Sequence, residues 1–148
     1  MKTLSAIKNI GFIGYGKVGQ CLGETMAASS HIEKIRIYVR SPEKYYKDLE
    51  INKSKILLFD DIHLVVQESD LIISAVWPGA AVEVAESITG SLKNGQVYLD
   101  LNTISPSSAQ KVGVLVESSG ADFAKGVLMG STKIYGSKVP ILIGGTES

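Results

Sequence analysis

Short, continuous apolar runs separated by segments of helical periodicity constrain this chain more than any other feature. The runs are Ile10-Gly11-Phe12-Ile13-Gly14, Ile56-Leu57-Leu58-Phe59 and, most clearly, Asp70 to Val76, and two further strands, Lys34 to Val39 and Gln96 to Leu101, mix in polar residues. A strand with one wet face alternates apolar and polar residues, whereas unbroken runs suit strands covered on both faces. Between them lie helix-length segments. Lys17 to Ser29 repeats Val18, Leu22 and Met26 every four residues, which aligns them on one helix face. Pro42 to Leu49 follows Ser41 as cap and reads as a short polar helix, and Asp60 or Asp61 caps another through Gln67. Pro78-Gly79 stops the fourth strand, Ala80 to Thr89 is helical, and Asn94-Gly95 turns into the fifth strand. A helix from Ser105-Pro106 to Ser118, with Thr103 or Ser105 as cap, precedes two tail strands, Ala121 to Leu128 and Val139 to Ile143, joined by a loop containing Gly130 and Gly136. Strand–helix alternation of this kind predicts a doubly wound, mostly parallel α/β sheet with helices on both faces and right-handed crossovers.

Composition fits one such unit. The 148 residues are 45% hydrophobic and 20% charged, with 15 Lys+Arg against 15 Asp+Glu. We expect a single domain over residues 1–148, since no repeat, low-complexity tract or charge block marks a boundary. Zero net charge gives no nucleic-acid footprint. No apolar stretch suggests a signal peptide or a membrane span, and the lone Cys21 excludes an internal disulfide framework or a cysteine-based metal cluster, so a cytoplasmic setting is expected.

Gly14-Tyr15-Gly16-Lys17-Val18-Gly19 matches G-x-G-x-x-G. A bare match is weak, but this one ends the first strand, opens the first helix and stands about twenty residues before the end of the second strand, the setting of a Rossmann-type dinucleotide site. Gly14 permits a tight turn, Gly16 removes a side chain where a pyrophosphate approaches, and Gly19 lets helix and strand pack closely. The helix N-terminus then presents N–H groups and its positive dipole end to the phosphates. The acid that would bind the 2′-hydroxyl of NAD is absent: Val39 is followed by Arg40 and Ser41. A guanidinium beside a hydroxyl suits a 2′-phosphate, which favours NADP while leaving NAD open. A solvated strand-end charge is the plain alternative for Arg40.

Ligands of open α/β sheets collect at strand C-termini. Val76-Trp77-Pro78-Gly79 is a rigid turn placed to wall the cofactor, although Trp77 reads equally as a core-edge aromatic. Asp100 to Pro106 is rich in amide and hydroxyl groups, and Asn102 or Thr103 is a candidate substrate contact. Cys21 reads as a buried small hydrophobe. His31 and His63 have no carboxylate or serine at a spacing that suggests a triad or a metal site, and Tyr45 and Tyr46 read as a solvated helix face.

With the glycine motif, Arg40-Ser41, the run Asp100-Leu101-Asn102-Thr103-Ile104-Ser105-Pro106, Met129-Gly130 and Val139-Pro140-Ile141-Leu142, residues 9 to 146 resemble the N-terminal NAD(P)-binding domain of the β-hydroxyacid dehydrogenases. That family includes 6-phosphogluconate and 3-hydroxyisobutyrate dehydrogenases. The resemblance implies NAD(P)-linked oxidation of a small hydroxy acid or reduction of a keto acid. It also implies that Tyr15, Gly16, Lys17 and Val18 line the pyrophosphate, Arg40 and Ser41 the adenosine ribose, and Val76, Trp77 and Pro78 the nicotinamide. Asn102 and Thr103 match positions between nicotinamide and substrate. Met129, Gly130 and Ser131 fall where the family has Ser-Gly-Gly around the substrate carboxylate, and Met129 departs from that pattern. The family's catalytic lysine lies in a C-terminal helical domain, and neither Lys125 nor Lys138 matches its motif, so no catalytic residue is assigned. A small-molecule substrate is the expected partner, with the remaining site supplied by a helical domain or a second subunit. A non-catalytic NAD(P)-binding or redox-sensing module is the alternative. A methyltransferase would place an acid where Arg40 stands.

Overall fold

The computed structural model describes residues 4–45 and 55–145. Strands β1 (Asn9–Ile13), β2 (Lys34–Tyr38), β3 (Ile56–Phe59), β4 (Leu71–Ser74), β5 (Val97–Asp100), β6 (Asp122–Leu128) and β7 (Ile141–Gly145) form one sheet in the order β3-β2-β1-β4-β5-β6-β7. Every neighbouring pair is parallel except β6 and β7. The helices are α1 (Lys17–Ala27), α2 (Ile62–Gln67), α3 (Ala81–Ile88), α4 (Pro106–Ser118) and α5 (Thr132–Tyr135). Each lies close to the boundary the sequence suggests, apart from α5, which occupies the expected Gly130–Gly136 loop. The proposed Pro42–Leu49 helix is a 3-10 turn over Pro42–Lys44, and residues 46–49 lie outside the described residues.

Continuous apolar strands arise because both faces are covered. Ile10, Phe12, Ile35 and Ile37 pack with Leu22 and Ala27 of α1 on one face, while Ile13, Ile72 and Tyr98 pack with Ala85, Ile88, Val112 and Val116 of α3 and α4 on the other. Burying each large side chain contributes roughly 1.5–3 kcal/mol. Polar side chains, the buried Gln96 and the half-buried Asp70, tie the elements together. The Gln96 amide donates to the Val66 and Ser69 carbonyls at 2.7 and 2.8 Å, and Asp70 Oδ2 accepts from the Lys8 and Asn9 amides at 3.1 and 2.9 Å. Caps fix where helices start: Asp61 accepts from the His63 and Leu64 amides, and Ser105, rather than Thr103, accepts from Ser108. β7 runs antiparallel because Met129–Pro140 returns the chain without a helix crossing a face of the sheet.

Candidate functional site

β1 and β4 are neighbours, but the chain leaves β1 toward α1 and β2 and leaves β4 toward α3 and β5. A crevice opens where connections diverge in this way. The glycine loop spans it. Gly14 has φ +98°, and an added Cβ would overlap the Ala75 carbonyl oxygen. At Gly19 a Cβ would stand 2.7 Å from the Gly14 carbonyl oxygen, so this glycine lets α1 sit against the loop. Gly16 differs from both, because a Cβ there would meet nothing within 4 Å. Gly16 is also the N-cap of α1, with no side chain capping the helix. The result is a bare shelf bordered by first-turn N–H groups, the chemistry that a pyrophosphate requires.

The Tyr15 side chain packs into the core. It is buried, and its ring meets Tyr45 edge to face at 5.5 Å. Burial, and secondarily the charge of Glu24, raises its phenol pKa. Tyr45 is therefore half-buried against the motif instead of lying on a solvated helix face, while Tyr46 lies outside the described residues. Gln20 braces the loop by donating to the Tyr15 carbonyl at 3.1 Å. Lys17 is exposed and Val18 packs on the core.

At the end of β2, Val39 is buried and held by its amide to the Phe59 carbonyl, and Arg40 then projects into solvent. Ser41 is half-buried, and its hydroxyl caps nothing. The Tyr15–Tyr45 contact brings this turn beside the glycine loop.

The ends of β4 and β5 are joined tightly. Asn102 Oδ1 accepts from the Val76 amide at 2.7 Å, and its Nδ2 donates to Ser74 Oγ at 3.0 Å. The Asn102 amide donates to Asp100 Oδ1 at 2.7 Å. The expected ligand contact thus has its side chain committed within the protein, leaving the exposed Thr103 as the outward group of the pair. Trp77 is 80% exposed, which excludes the core-edge reading, and its indole leans over Gly79. Pro78 opens the 3-10 turn that leads into α3. Beneath this edge, burial holds the Tyr98 phenol far above its ordinary pKa, with the Asp100 charge adding to the shift.

Met129, Gly130 and Ser131 follow β6. Met129 is exposed, Gly130 has φ +146°, and Ser131 caps α5, which packs on α1. Among the described residues, no hydrogen bond joins them to Asn102 or Thr103. Two features escaped the sequence reading. Lys125 reaches the β5 end, and its only sequence signal is a lone cation in an apolar strand. His63 Nδ1 lies 2.6 Å from Ser91 Oγ, linking α2 to the turn after α3, although no acid completes a triad among the described residues. Cys21 is half-buried, not buried, because α1 turns that side partly outward. A groove of about 430 Å³ between α3 and α4 is lined by none of the candidate residues.

The profile of the NAD-binding domain of 6-phosphogluconate dehydrogenase matches residues 9–148. The chain belongs to this family. A 2-(hydroxymethyl)glutarate dehydrogenase from Eubacterium barkeri is 25% identical over 149 residues, covering 94% of this chain and 46% of the relative. The solved 3-hydroxyisobutyrate dehydrogenase of Mycobacterium tuberculosis superposes with a TM-score of 0.77 at 20% identity, covering 95% of this chain and 47% of that one. An imine reductase from Aspergillus terreus, solved in complex with NADPH4, gives 0.75 at 23% identity, covering 96% and 49%. These two structures share the fold of this 6-phosphogluconate dehydrogenase-type domain. The chain spans less than half the length of the curated relatives it matches. No helix among the described residues is long and apolar enough to cross a membrane.

Proposed function

We propose that this domain binds NADP(H) and serves an oxidoreductase of the β-hydroxyacid dehydrogenase type, acting on a small hydroxy or keto acid. The observation that carries the reading is the open shelf at Gly16, since its two partner glycines are sterically required and it alone is bare toward solvent. When bound, the nicotinamide supplies or accepts the hydride. Gly14 to Gly19 hold the pyrophosphate, Arg40 and Ser41 the 2′-phosphate, and Val76, Trp77 and Pro78 border the nicotinamide. Thr103 faces the substrate side, with Met129, Gly130 and Ser131 beyond it. The chain's own contribution is orientation: the Asn102 bridge fixes two strand ends that flank the reacting ring.

A non-catalytic binding module is the second reading. It is favoured by the absence of an unengaged acid or base at the Asn102–Thr103 edge among the described residues, so proton transfer requires a group from elsewhere. Calorimetric titration with NADPH and NADH tests the cofactor assignment. NADPH should bind more tightly, and Arg40→Ala should weaken it by about tenfold to a hundredfold while leaving NADH nearly unchanged. Equal losses for both nucleotides would remove the 2′-phosphate role. Turnover of a hydroxy or keto acid by this chain alone would exclude the module reading.

A further inference from the structure

Lys125 lies opposite Asp100 in the parallel β5–β6 register. Its side chain is 22% exposed and folds over the end of β5. The ammonium donates to the carbonyl oxygens of Asn102 at 2.6 Å, Gly126 at 3.1 Å and Asp100 at 3.2 Å, with Asp100 Oδ1 at 3.5 Å. Three N–H donors meet three carbonyls, so the group has none left for a ligand. Converging carbonyl and carboxylate oxygens are the donor set that replaces the hydration shell of a monovalent cation. Here that cation is attached to the chain.

We propose that Lys125 is a positioning residue for the nicotinamide half of the site, a tethered cation that fixes the Asp100–Thr103 ledge and, through Asn102, the Val76–Pro78 turn. The proposal rests on the nucleotide reading above. Every polar group of Asn102 is then accounted for: its carbonyl by Lys125, its amide by Asp100, and its side chain by Val76 and Ser74. Asp100 depends on the same ammonium. Its side chain is 1% exposed, and among the described residues its Oδ2 has no hydrogen-bond partner. Without Lys125 the carboxylate is a buried charge lacking its cation, which is strongly unfavourable. The carboxylate must then shift toward water, and the shift alters the acceptor that holds the Asn102 amide. The adenosine half depends on it less: among the described residues no hydrogen bond joins Arg40 or Gly16 to this cluster, and the glycine loop meets it only where Gly14 packs against Ala75 and Val76.

The test compares Lys125→Ala with the unaltered chain by calorimetric titration with NADPH and with 2′-phosphoadenosine 5′-diphosphoribose, which lacks the nicotinamide. NADPH should weaken by about tenfold while the truncated nucleotide stays within about twofold, and added propylammonium should restore NADPH binding. Equal losses for both nucleotides, or no loss for NADPH, would overturn the positioning role. Should Lys125→Ala not fold, Lys125→Met keeps the apolar stem and carries the same comparison. If neither variant folds, the ammonium is a requirement of the fold and the positioning role is overturned. Failure of the unaltered chain to bind either nucleotide is a distinct result, which removes the nucleotide reading and this role with it.

Discussion

The two ends of the crevice are built on opposite plans. At the end proposed to take the adenosine, Arg40 stands in solvent on a strand terminus. At the end proposed to take the nicotinamide, Ser74, Asp100, Asn102 and Lys125 are bonded to one another across three strands, with only Asp100 Oδ2 left without a partner among the described residues. An exposed group can recognise a phosphate at little structural cost, because water screens it until the phosphate displaces that water. A reacting centre needs its walls fixed beforehand, since misplacement of the ring by a fraction of an ångström lowers the rate steeply. The contrast separates an exposed residue proposed to choose the cofactor from residues that hold the frame.

Substitutions can break that separation. The largest effect belongs to the shelf between the two ends: Gly16→Val should abolish binding of both NADPH and NADH in calorimetry, with little change in the urea midpoint, because nothing in the protein occupies the space its side chain would take. Retained binding would make the motif a plain turn. Next comes Asn102→Ala, which strands the Val76 amide and Ser74 hydroxyl and should cost about 2 kcal/mol in urea unfolding. Arg40→Ala should stay within about 0.5 kcal/mol in the same measurement. If the two variants lost equal stability, the contrast between the ends would fail. Ser105→Ala removes the α4 cap and should cost about 1 kcal/mol.

The smallest effect at neutral pH is that of Tyr98→Phe, which becomes visible only in alkali. The Tyr98 phenol titrates higher in the folded chain than in the unfolded one, where it ionises near pH 10. Above about pH 10 the unfolded chain releases a proton that the folded chain keeps, so stability present below that pH falls as the pH rises. The thermal midpoint measured from about pH 8 to 11 should drop less steeply in Tyr98→Phe. Parallel slopes would show that Tyr98 does not control alkaline unfolding.

The glycine turn and the exposed strand end at Arg40 were legible in the sequence because both are local. Gly14, Gly16, Gly19 and Arg40 act through local backbone and immediate neighbours, so their spacing carries the information. The parallel strands were legible too, because a run such as Ile10 to Ile13 must be covered on both faces. The Asn102 cluster was hidden by distance along the chain. Val76 meets Asn102 across 26 positions and Lys125 meets it across 23, and no local pattern announces either contact. Tyr45 was misread for a related cause: its polar neighbours suggested solvent, while its ring found Tyr15 thirty positions earlier. Similarly, α5 stayed unseen because four residues of helix carry too little periodicity to register.

The projecting indole on the turn after β4 has an optical consequence. Trp77 is the single tryptophan of the chain, and it is 80% exposed. Its emission is therefore that of one hydrated fluorophore at one known place, unmixed with light from the core. A reduced nicotinamide absorbs in the band where indole emits, so quenching of Trp77 would gauge the distance to the ring without any attached dye.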